Sequence, residues 1–416
     1  MAGRCNGKSV FVAGRAICAG QSGWAEFGCW FMQSDDLSQF DRPVERRGTG
    51  SLKWSRYEGR DVLPMWVADM DFVSPEPILA SIRRRLDHGV LGYSVATAEA
   101  VEAVLGYLRS VHGVEAEPGW LTWLPGMVPA LAMAALMAGE RGDAVMTCTP
   151  VYPPFLKVHR DAGMELVTVP LQPGEDGRYR FDFEAMERAV TPSVKLFLLC
   201  SPHNPVGRVW SRGELEQLAD FCERHDLLLC SDEIHCDLLL EPEEAMHCTA
   251  LRLDDRLRKR LMVLMAASKT YNVAGLGLSF AVIPDAALRR RFQAARNTLV
   301  AETSPLSFAA TAAAYRDCEA WRAALCRYLR GNRDRLADFL AERFPQVVLP
   351  RIEATYLAWL DVRALGYEHP AAHFESRGIA LNNGADFGAP GFVRLNFGCP
   401  RVTLEEGLGR FAGAVG

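Results

Sequence analysis

The stretch LMVLMAASKTYNVAGLGL, residues 261–278, decides the fold because its apolar run stops abruptly at Ser268-Lys269-Thr270. A short apolar run bounded by turn residues is typical of a buried, parallel strand. In open α/β sheets, ligands bind outside the carboxyl ends of such strands. The sequence therefore predicts that Lys269 lies at a ligand site, where a desolvated amine loses its proton easily and can attack a carbonyl. An ordinary surface lysine is the alternative that this stretch alone leaves open.

Strand and helix patterns alternate from Trp120 onward, which predicts crossover connections and a mainly parallel sheet. The predicted strands are TWLP, AVMTCTP, MELVTVPL, VKLFLLCSP, LLLCSDEI, LMVLMAASK and SFAVIP. Helices are predicted from a start at residues 74–77 through Leu86, and over residues 98–112, 127–138 and 286–299, with more than one helix between residues 305 and 344. A capping box at Ser211 to Glu214 starts a further helix that ends near His225. The fold class is therefore α/β, with a mainly parallel seven-stranded sheet in a large domain and a small α+β domain.

Composition excludes several classes of function. The chain has 416 residues and a net charge of -5, so no basic field attracts nucleic acid or an anionic membrane. The longest apolar runs, such as residues 130–138, are far shorter than the roughly 20 residues that a membrane span needs. Twelve cysteines without a CxxC pair give no zinc or disulfide framework, and this usage predicts no metal and a reducing cytoplasm.

The sequence predicts four segments. Residues 1–31 are a basic, Gly- and Ala-rich extension, either disordered or ahead of a native start at Met32. Residues 32–73 are expected to join the small domain, residues 74–300 to form the large domain, and residues 301–416 to form the small C-terminal domain. We expect the ligand site between the two domains.

Four predicted strand ends carry polar or aromatic residues of different kinds. Gly126 precedes the helix from Met127, whose free N–H groups can hold a phosphate, although an ordinary turn is an alternative. Tyr152 can stack on a flat ring or belong to the core. Asn204 lies in a turn fixed by two prolines and a glycine. Asp232 follows the apolar LLLC, where a buried carboxylate is costly unless it is paired or used.

The motifs NPVG, SDEIH and SKTYNVAGL occur in that order, and together they resemble the fold-type I enzymes of pyridoxal 5'-phosphate, the class I/II aminotransferase superfamily. The resemblance runs from about Asp41 to the C-terminus. Within it, LPMWVADMDF, GYS, SDEIH and RLNFGCP resemble the MalY/PatB-type C–S lyases, often called cystathionine β-lyases. Residues 1–31 have no counterpart in this family.

The resemblance implies pyridoxal 5'-phosphate as the cofactor and a role for each matching residue. Lys269 matches the Schiff-base lysine, and Asp232 matches the carboxylate that keeps the pyridine nitrogen protonated. The residues that match other cofactor contacts are Gly126, Met127, Val128 and Ser268 for the phosphate, Tyr152 for the ring face, and Asn204 and His235 near the O3' oxygen. Tyr93 matches a tyrosine that reaches the phosphate of the neighbouring subunit, which implies a homodimer.

The substrate is expected to contact Arg394, Tyr93, Trp66 and Asn204. Arg394 matches the guanidinium that binds the substrate α-carboxylate through two parallel hydrogen bonds. At Gly277, eight residues after Lys269, relatives often carry Arg, Lys or another polar residue, so this chain departs from the pattern at the phosphate.

The resemblance implies β-elimination from cystathionine or a related cysteine S-conjugate, which gives a thiol, pyruvate and ammonia. An aminotransferase of the same fold is the alternative, because both reactions use the same cofactor residues. A protein that uses this scaffold mainly to bind a regulatory partner is a third hypothesis, since fold alone does not dictate function. The intact Lys269 and Asp232 argue against a loss of chemistry.

Overall fold

The computed structural model describes residues 37–241, 246–253, 255–296 and 300–416, so the predicted extension at residues 1–31 lies outside the described residues. The helices, in chain order, are α1 (Leu52–Ser55), α2 (Glu76–Asp87), α3 (Ala98–His112), α4 (Met127–Ala138), α5 (Val158–Asp161), α6 (Phe183–Ala189), α7 (Arg212–Arg224), α8 (Ala286–Ala294), α9 (Pro305–Asp317), α10 (Glu319–Arg343), α11 (Pro370–Ser376) and α12 (Arg401–Val415).

The strands are β1 (Leu63–Pro64), β2 (Leu121–Leu124), β3 (Ala144–Thr149), β4 (Glu165–Pro170), β5 (Gln172–Pro173), β6 (Tyr179–Arg180), β7 (Val194–Cys200), β8 (Leu228–Asp232), β9 (Leu261–Met265), β10 (Ser279–Val282), β11 (Leu357–Asp361), β12 (Ile379–Ala380), β13 (Asn382–Asn383) and β14 (Phe392–Asn396). All seven strands predicted from the sequence pair in one sheet, in the order β2-β10-β9-β8-β7-β3-β4. β10 runs antiparallel to β2 and β9, and the other pairings are parallel.

Helices cover both faces of this sheet, which explains why its strands are apolar throughout. β9 contributes Leu261, Val263 and Met265 to a hydrophobic cluster on one face. Met262 and Leu264 belong to the cluster on the opposite face, together with the apolar side of α4. Because side chains alternate along a strand, every residue of β9 is buried and none needs to be polar until the strand ends.

A second core lies in the C-terminal part of the chain. The antiparallel sheet β11-β14-β13 packs with α10 and α12. The residues preceding α2 join this core, because β1 pairs in parallel with β12 and Met65, Met70 and Phe72 are buried in the same cluster. The division at residues 73 and 300 stays a prediction.

One predicted helix boundary differs from the structure by several residues. The helix predicted over residues 286–299 ends at Ala294, and residues 297–299 lie outside the described part. The helices predicted between residues 305 and 344 are α9 and α10, which the buried Cys318 separates. The capping box is present, with Ser211 and Glu214 exchanging side-chain to backbone hydrogen bonds at the start of α7. Among the described residues, no helix combines the length and apolar character that crossing a bilayer requires.

Candidate active site

A cavity of about 160 Å³ lies at the carboxyl edge of the seven-stranded sheet. The segments following β2, β3, β7, β8 and β9 meet there, because the carboxyl ends of these strands share one edge. The cavity is lined by Gly126, Met127, Val128, Tyr152, Cys200, Asn204, Asp232, Ile234, His235, Ser268, Lys269, Ala274, Gly277 and Leu278. Every residue predicted to bind the cofactor is therefore in the lining, except Tyr93.

Lys269 projects from the turn after β9 toward the cavity. Its Nζ donates a hydrogen bond of 2.7 Å to the main-chain oxygen of Ala68. Burial lowers the pKa of the Lys269 amine to about 8, and the charge of Arg394 acts in the same direction. The amine can therefore become neutral, and hence nucleophilic, near physiological pH.

Two adjacent buried carboxylates, Asp232 and Glu233, have opposite electrostatic environments. Asp232 accepts a hydrogen bond from the N–H of Ile234 at 3.1 Å, and burial raises its pKa to about 7. Glu233 is also buried, but the charge of His247 and hydrogen bonds from His247 and Ala250 outweigh burial and lower the pKa of Glu233. Glu233 is therefore a satisfied structural carboxylate, whereas Asp232 faces the cavity without a comparable set of partners.

Arg394 lies on β14, directly behind Asn204. Its Nη1 donates to Asn204 Oδ1 at 2.8 Å, and its Nη2 donates to Asn382 Oδ1 at 2.7 Å. The guanidinium carbon lies 4.7 Å from the centroid of the Phe387 ring, and Nε is buried without a hydrogen-bond partner. Burial lowers the pKa of Arg394 to about 10, and neither amide oxygen neutralises its charge. This cation is therefore held rigidly and remains available to an anion.

Tyr152 and Asn204 are connected through the main chain. The Tyr152 N–H donates to the Asn204 oxygen at 3.1 Å, so the loops after β3 and β7 are fixed to one another. His235 is buried, and its Nδ1 has no hydrogen-bond partner. Burial lowers the pKa of His235 to about 3, with the charges of Lys269 and Arg394 acting in the same direction. His235 is therefore neutral near pH 7.

The start of α4 forms one wall of the cavity. Gly126 precedes this helix with φ of 142°, a backbone conformation that L side chains rarely adopt. Gly277 lies at a second wall with φ of 57°, and a Cβ there would meet the Pro125 oxygen at 3.1 Å. The backbone thus favours glycine at position 277. Among the lining residues, Lys269 is the one lysine or arginine.

Of the four residues predicted to bind substrate, Asn204 is in this lining, whereas Arg394, Trp66 and Tyr93 are not. Trp66 is half-buried, and its Nε1 donates to the Lys53 oxygen at 3.1 Å while its ring packs near Tyr57. The predicted contact of Trp66 with the substrate stays a prediction. Tyr93 is 100% exposed in the loop between α2 and α3. Its predicted role requires a second subunit and stays a prediction.

The sequence analysis missed the residues that hold the segment in front of Lys269. Asn272 and Asn396 each donate two side-chain hydrogen bonds to main-chain oxygens of residues 67–72. Both belong to motifs used for the resemblance, SKTYN and RLNFG, so their positions were a usable signal. Asparagine is common in turns, however, and nothing local indicates partners at least 200 residues away.

One further cluster of possible metal ligands occurs in the described part of the chain. His112, Cys236 and Asp237 offer ligand atoms within 4.8 Å of one another. The Tyr107 hydroxyl lies among them, 2.9 Å from His112 Nε2, 3.3 Å from Cys236 Sγ and 2.7 Å from Asp237 Oδ1. This hydroxyl occupies the centre of the group, so we interpret the group as a buried hydrogen-bond cluster.

The fold is that of the fold-type I pyridoxal 5'-phosphate enzymes, and it presents a lysine and an aspartate at the carboxyl edge of the sheet. The family model described as aminotransferase class I and II matches residues 68–411, and the chain belongs to this family. Its members act on amino-acid substrates. The predicted superfamily is confirmed.

Individual proteins similar to this chain narrow the choice of subgroup within the family. Cystathionine beta-lyase PatB of Bacillus subtilis is 39% identical over 390 residues, which cover 90% of this chain and 99% of that protein. The crystal structure of OvoB is similar with a TM-score of 0.87 and 41% identity, covering 90% of this chain and 98% of that one. Cystalysin from Treponema denticola, whose structure contains pyridoxal 5'-phosphate, has a TM-score of 0.86 and 32% identity. The match covers 90% of this chain and 98% of that one.

Proposed function

We propose that this protein is a pyridoxal 5'-phosphate-dependent C–S β-lyase, which cleaves cystathionine or a related cysteine S-conjugate to a thiol, pyruvate and ammonia. The observation that carries the proposal is the pairing of Lys269 with Asp232 in one cavity, in a chain that is 39% identical to a cystathionine β-lyase along nearly its whole length. The predicted lyase activity agrees with this similarity, which makes the aminotransferase alternative weaker.

The cavity residues fit this cofactor. The raised pKa of Asp232 means that its buried carboxylate lacks a cation strong enough to offset burial, and a protonated pyridine nitrogen would supply one. The Nδ1 of His235 is buried without a partner. α4 begins at the cavity with Met127, and the first N–H groups of a helix bind phosphate. Asp232 can therefore accept a cation, His235 a polar oxygen, and the start of α4 an anion.

The residues that would hold the cofactor follow from these environments. Lys269 would bind its aldehyde, Asp232 its pyridine nitrogen, Tyr152 its ring face, and Asn204 and His235 the region of O3'. The phosphate would contact the start of α4 at Gly126, Met127 and Val128, together with Ser268. When bound, pyridoxal 5'-phosphate supplies an electrophilic aldehyde and a ring that accepts electron density from the substrate Cα.

The chain itself orients the substrate and moves its proton. Arg394 binds the α-carboxylate, since its charge is held by two neutral amides and is not cancelled. The neutral Lys269 amine then removes the Cα proton as general base, for which a pKa of about 8 is suitable. Loss of the thiolate from Cβ leaves a three-carbon fragment, and water converts it to pyruvate and ammonia. The thiolate takes up a proton to leave as a thiol.

Purified protein loaded with the cofactor tests the proposal. With L-cystathionine we expect pyruvate to form, detected by NADH consumption with lactate dehydrogenase. Lys269→Ala should lower the rate by about 10³-fold, because it removes the general base. Amino transfer to a 2-oxo acid without any pyruvate would instead identify an aminotransferase.

We also propose a homodimer with Tyr93 donated across the interface. Tyr93 is fully exposed, and Val90, Leu91 and Val95 expose 62%, 55% and 82% of their surface in the same loop. An exposed apolar group of this kind is typical of a protein interface. We also propose the division into a large and a small domain, which the hydrophobic cluster built mainly from β11, β14, α10 and α12 supports. We propose the cytoplasm as the compartment, which nine free cysteines in the described chain support.

A further inference from the structure

Residues 67–72, which we name the strap, cross in front of Lys269 and present a main-chain oxygen to its amine. The Ala68 oxygen accepts the 2.7 Å hydrogen bond from Lys269 Nζ. The neighbouring oxygens on both sides are held by one side chain, since Asn396 Nδ2 donates to Val67 at 2.7 Å and to Asp69 at 2.9 Å. Asn396 is buried, and its own Oδ1 accepts from the Gly398 N–H. The Ala68 oxygen is thus fixed from both sides.

The turn that carries Lys269 also holds the strap. Asn272, three residues after Lys269, donates from Nδ2 to the Met70 oxygen at 3.0 Å and to the Phe72 oxygen at 2.7 Å. Its Oδ1 accepts from the Met70 N–H at 3.2 Å. Asn272 has φ of 56°, which is unusual for a residue other than glycine and directs its side chain toward the strap. The amine and its acceptor are therefore parts of one connected structure.

A buried ion pair supports the strap from the side of α1. Lys53 is 1% exposed, and its Nζ donates to the Asp69 oxygen at 3.1 Å and to Asp71 Oδ2 at 2.6 Å. The Asp71 N–H donates to the Gly398 oxygen at 2.9 Å. Breaking a buried, hydrogen-bonded pair is costly, so this side of the strap has little freedom. Three parts of the chain, distant in sequence, fix one main-chain oxygen in front of Lys269.

We propose that the strap is the docking position for the Lys269 amine whenever it is not bound to the cofactor, and that Asn396 and Asn272 are positioning residues for this contact. A neutral amine has two N–H bonds and one lone pair. Donating one N–H to Ala68 restricts rotation about the terminal carbon and leaves the second N–H and the lone pair on the sides of the nitrogen that face away from the Ala68 oxygen. The inference rests on the proposed function because Lys269 must be free during the reaction.

Loss of this acceptor should change the titration of Lys269. The charged or titratable groups that face the amine are Asp69 on the strap, Asp232 and His235 after β8, and Arg394 on β14. A main-chain acceptor favours the protonated amine, whereas burial and Arg394 oppose it. If the strap loosens while the cavity stays buried, the protonated amine loses its acceptor, and burial and the charge of Arg394 still disfavour it. We expect the pKa of Lys269 to fall by about one unit.

The full-length protein is compared with its Asn396→Ala and Asn272→Gly variants. Glycine accepts the backbone conformation at position 272 without strain, so that variant removes the side chain and its hydrogen bonds without straining the turn. Each chain, freed of cofactor, is treated with an amine-acylating reagent across a pH series, and modification of Lys269 is measured by mass spectrometry. The pH at half-maximal modification should fall by about one unit in both variants. Protection of Lys269 after reloading with cofactor verifies that the site is folded.

Asn332→Ala is the matched control. Asn332 is a buried asparagine on α10 whose Nδ2 likewise donates to two main-chain oxygens, but these belong to Phe397 and Cys399, outside the strap. An unchanged midpoint in both strap variants, or an equal change in the control, would overturn the proposal. If Asn396→Ala does not fold, Asn272→Gly decides. No substrate is present, so failure of the lyase assay and failure of this inference are distinguishable.

Discussion

Asp232→Asn should stabilise the cofactor-free protein while removing its catalytic function. Burial raises the pKa of Asp232 from its ordinary 3.8 to about 7. In the unfolded chain the carboxyl group ionises near its ordinary value, so between pH 3.8 and 7 the folded protein binds more protons than the unfolded one. The free energy of unfolding therefore decreases as pH rises through this window, and above pH 7 the full cost of the buried charge is present.

The magnitude follows from the two pKa values. A rise from 3.8 to about 7, at about 1.4 kcal/mol for each unit, corresponds to a cost of up to about 4 kcal/mol. Asparagine is nearly isosteric and uncharged, and its oxygen can still accept from the Ile234 N–H. At pH 8 the variant should therefore unfold at a higher urea concentration than the natural protein. At pH 4 the difference should shrink to below about 1 kcal/mol, because the natural carboxyl group is largely protonated when folded.

Urea unfolding followed by tryptophan fluorescence measures the effect, and Glu233→Gln provides the control. Glu233 is equally buried, but its pKa is lowered, so removing its charge should destabilise the protein at pH 8. Added cofactor should make the natural protein more stable than Asp232→Asn, since only the natural aspartate gains a cationic partner. An Asp232→Asn protein that is less stable than the natural one at pH 8 without cofactor would refute the reasoning.

Two other predictions follow from the structure. Mixing Tyr93→Ala subunits with inactive Lys269→Ala subunits should restore lyase activity. In each mixed dimer, one site has an intact lysine from one chain and an intact tyrosine from the other. No recovery of activity after verified subunit exchange would contradict the shared site. Gly207→Ala should lower the free energy of unfolding by about 2 kcal/mol, since φ is 69° and a Cβ would lie 2.9 Å from Ile352 Cγ2. Gly213→Ala in α7, where nothing lies within 4 Å of the new Cβ, should show no comparable loss in the same thermal and urea measurements.

Much of the cavity was predictable because parallel strands follow a simple geometric rule. Apolar runs ending at Asp232 and before Lys269 indicated two strand ends, and such ends share one edge of a sheet. The identity of the side chains there then indicated the chemistry. This rule does not reach Trp66, which lies in an irregular segment and whose indole donates to the main-chain oxygen of Lys53 in α1. A local pattern does not specify the direction of a side chain in an irregular segment.

The sequence by itself determined the α/β class, the order of the strands along the chain, and the residues Lys269 and Asp232, because hydrophobic periodicity and abrupt polar endings are local properties. The tertiary structure decided which distant groups act on them. It placed the Asn396 side chain against the main-chain oxygens beside Ala68. It also gave the adjacent carboxylates of Asp232 and Glu233 different hydrogen-bond partners, so that their pKa values shift in opposite directions. Burial and long-range hydrogen bonds set these pKa values, and both arise only when remote parts of the chain pack together.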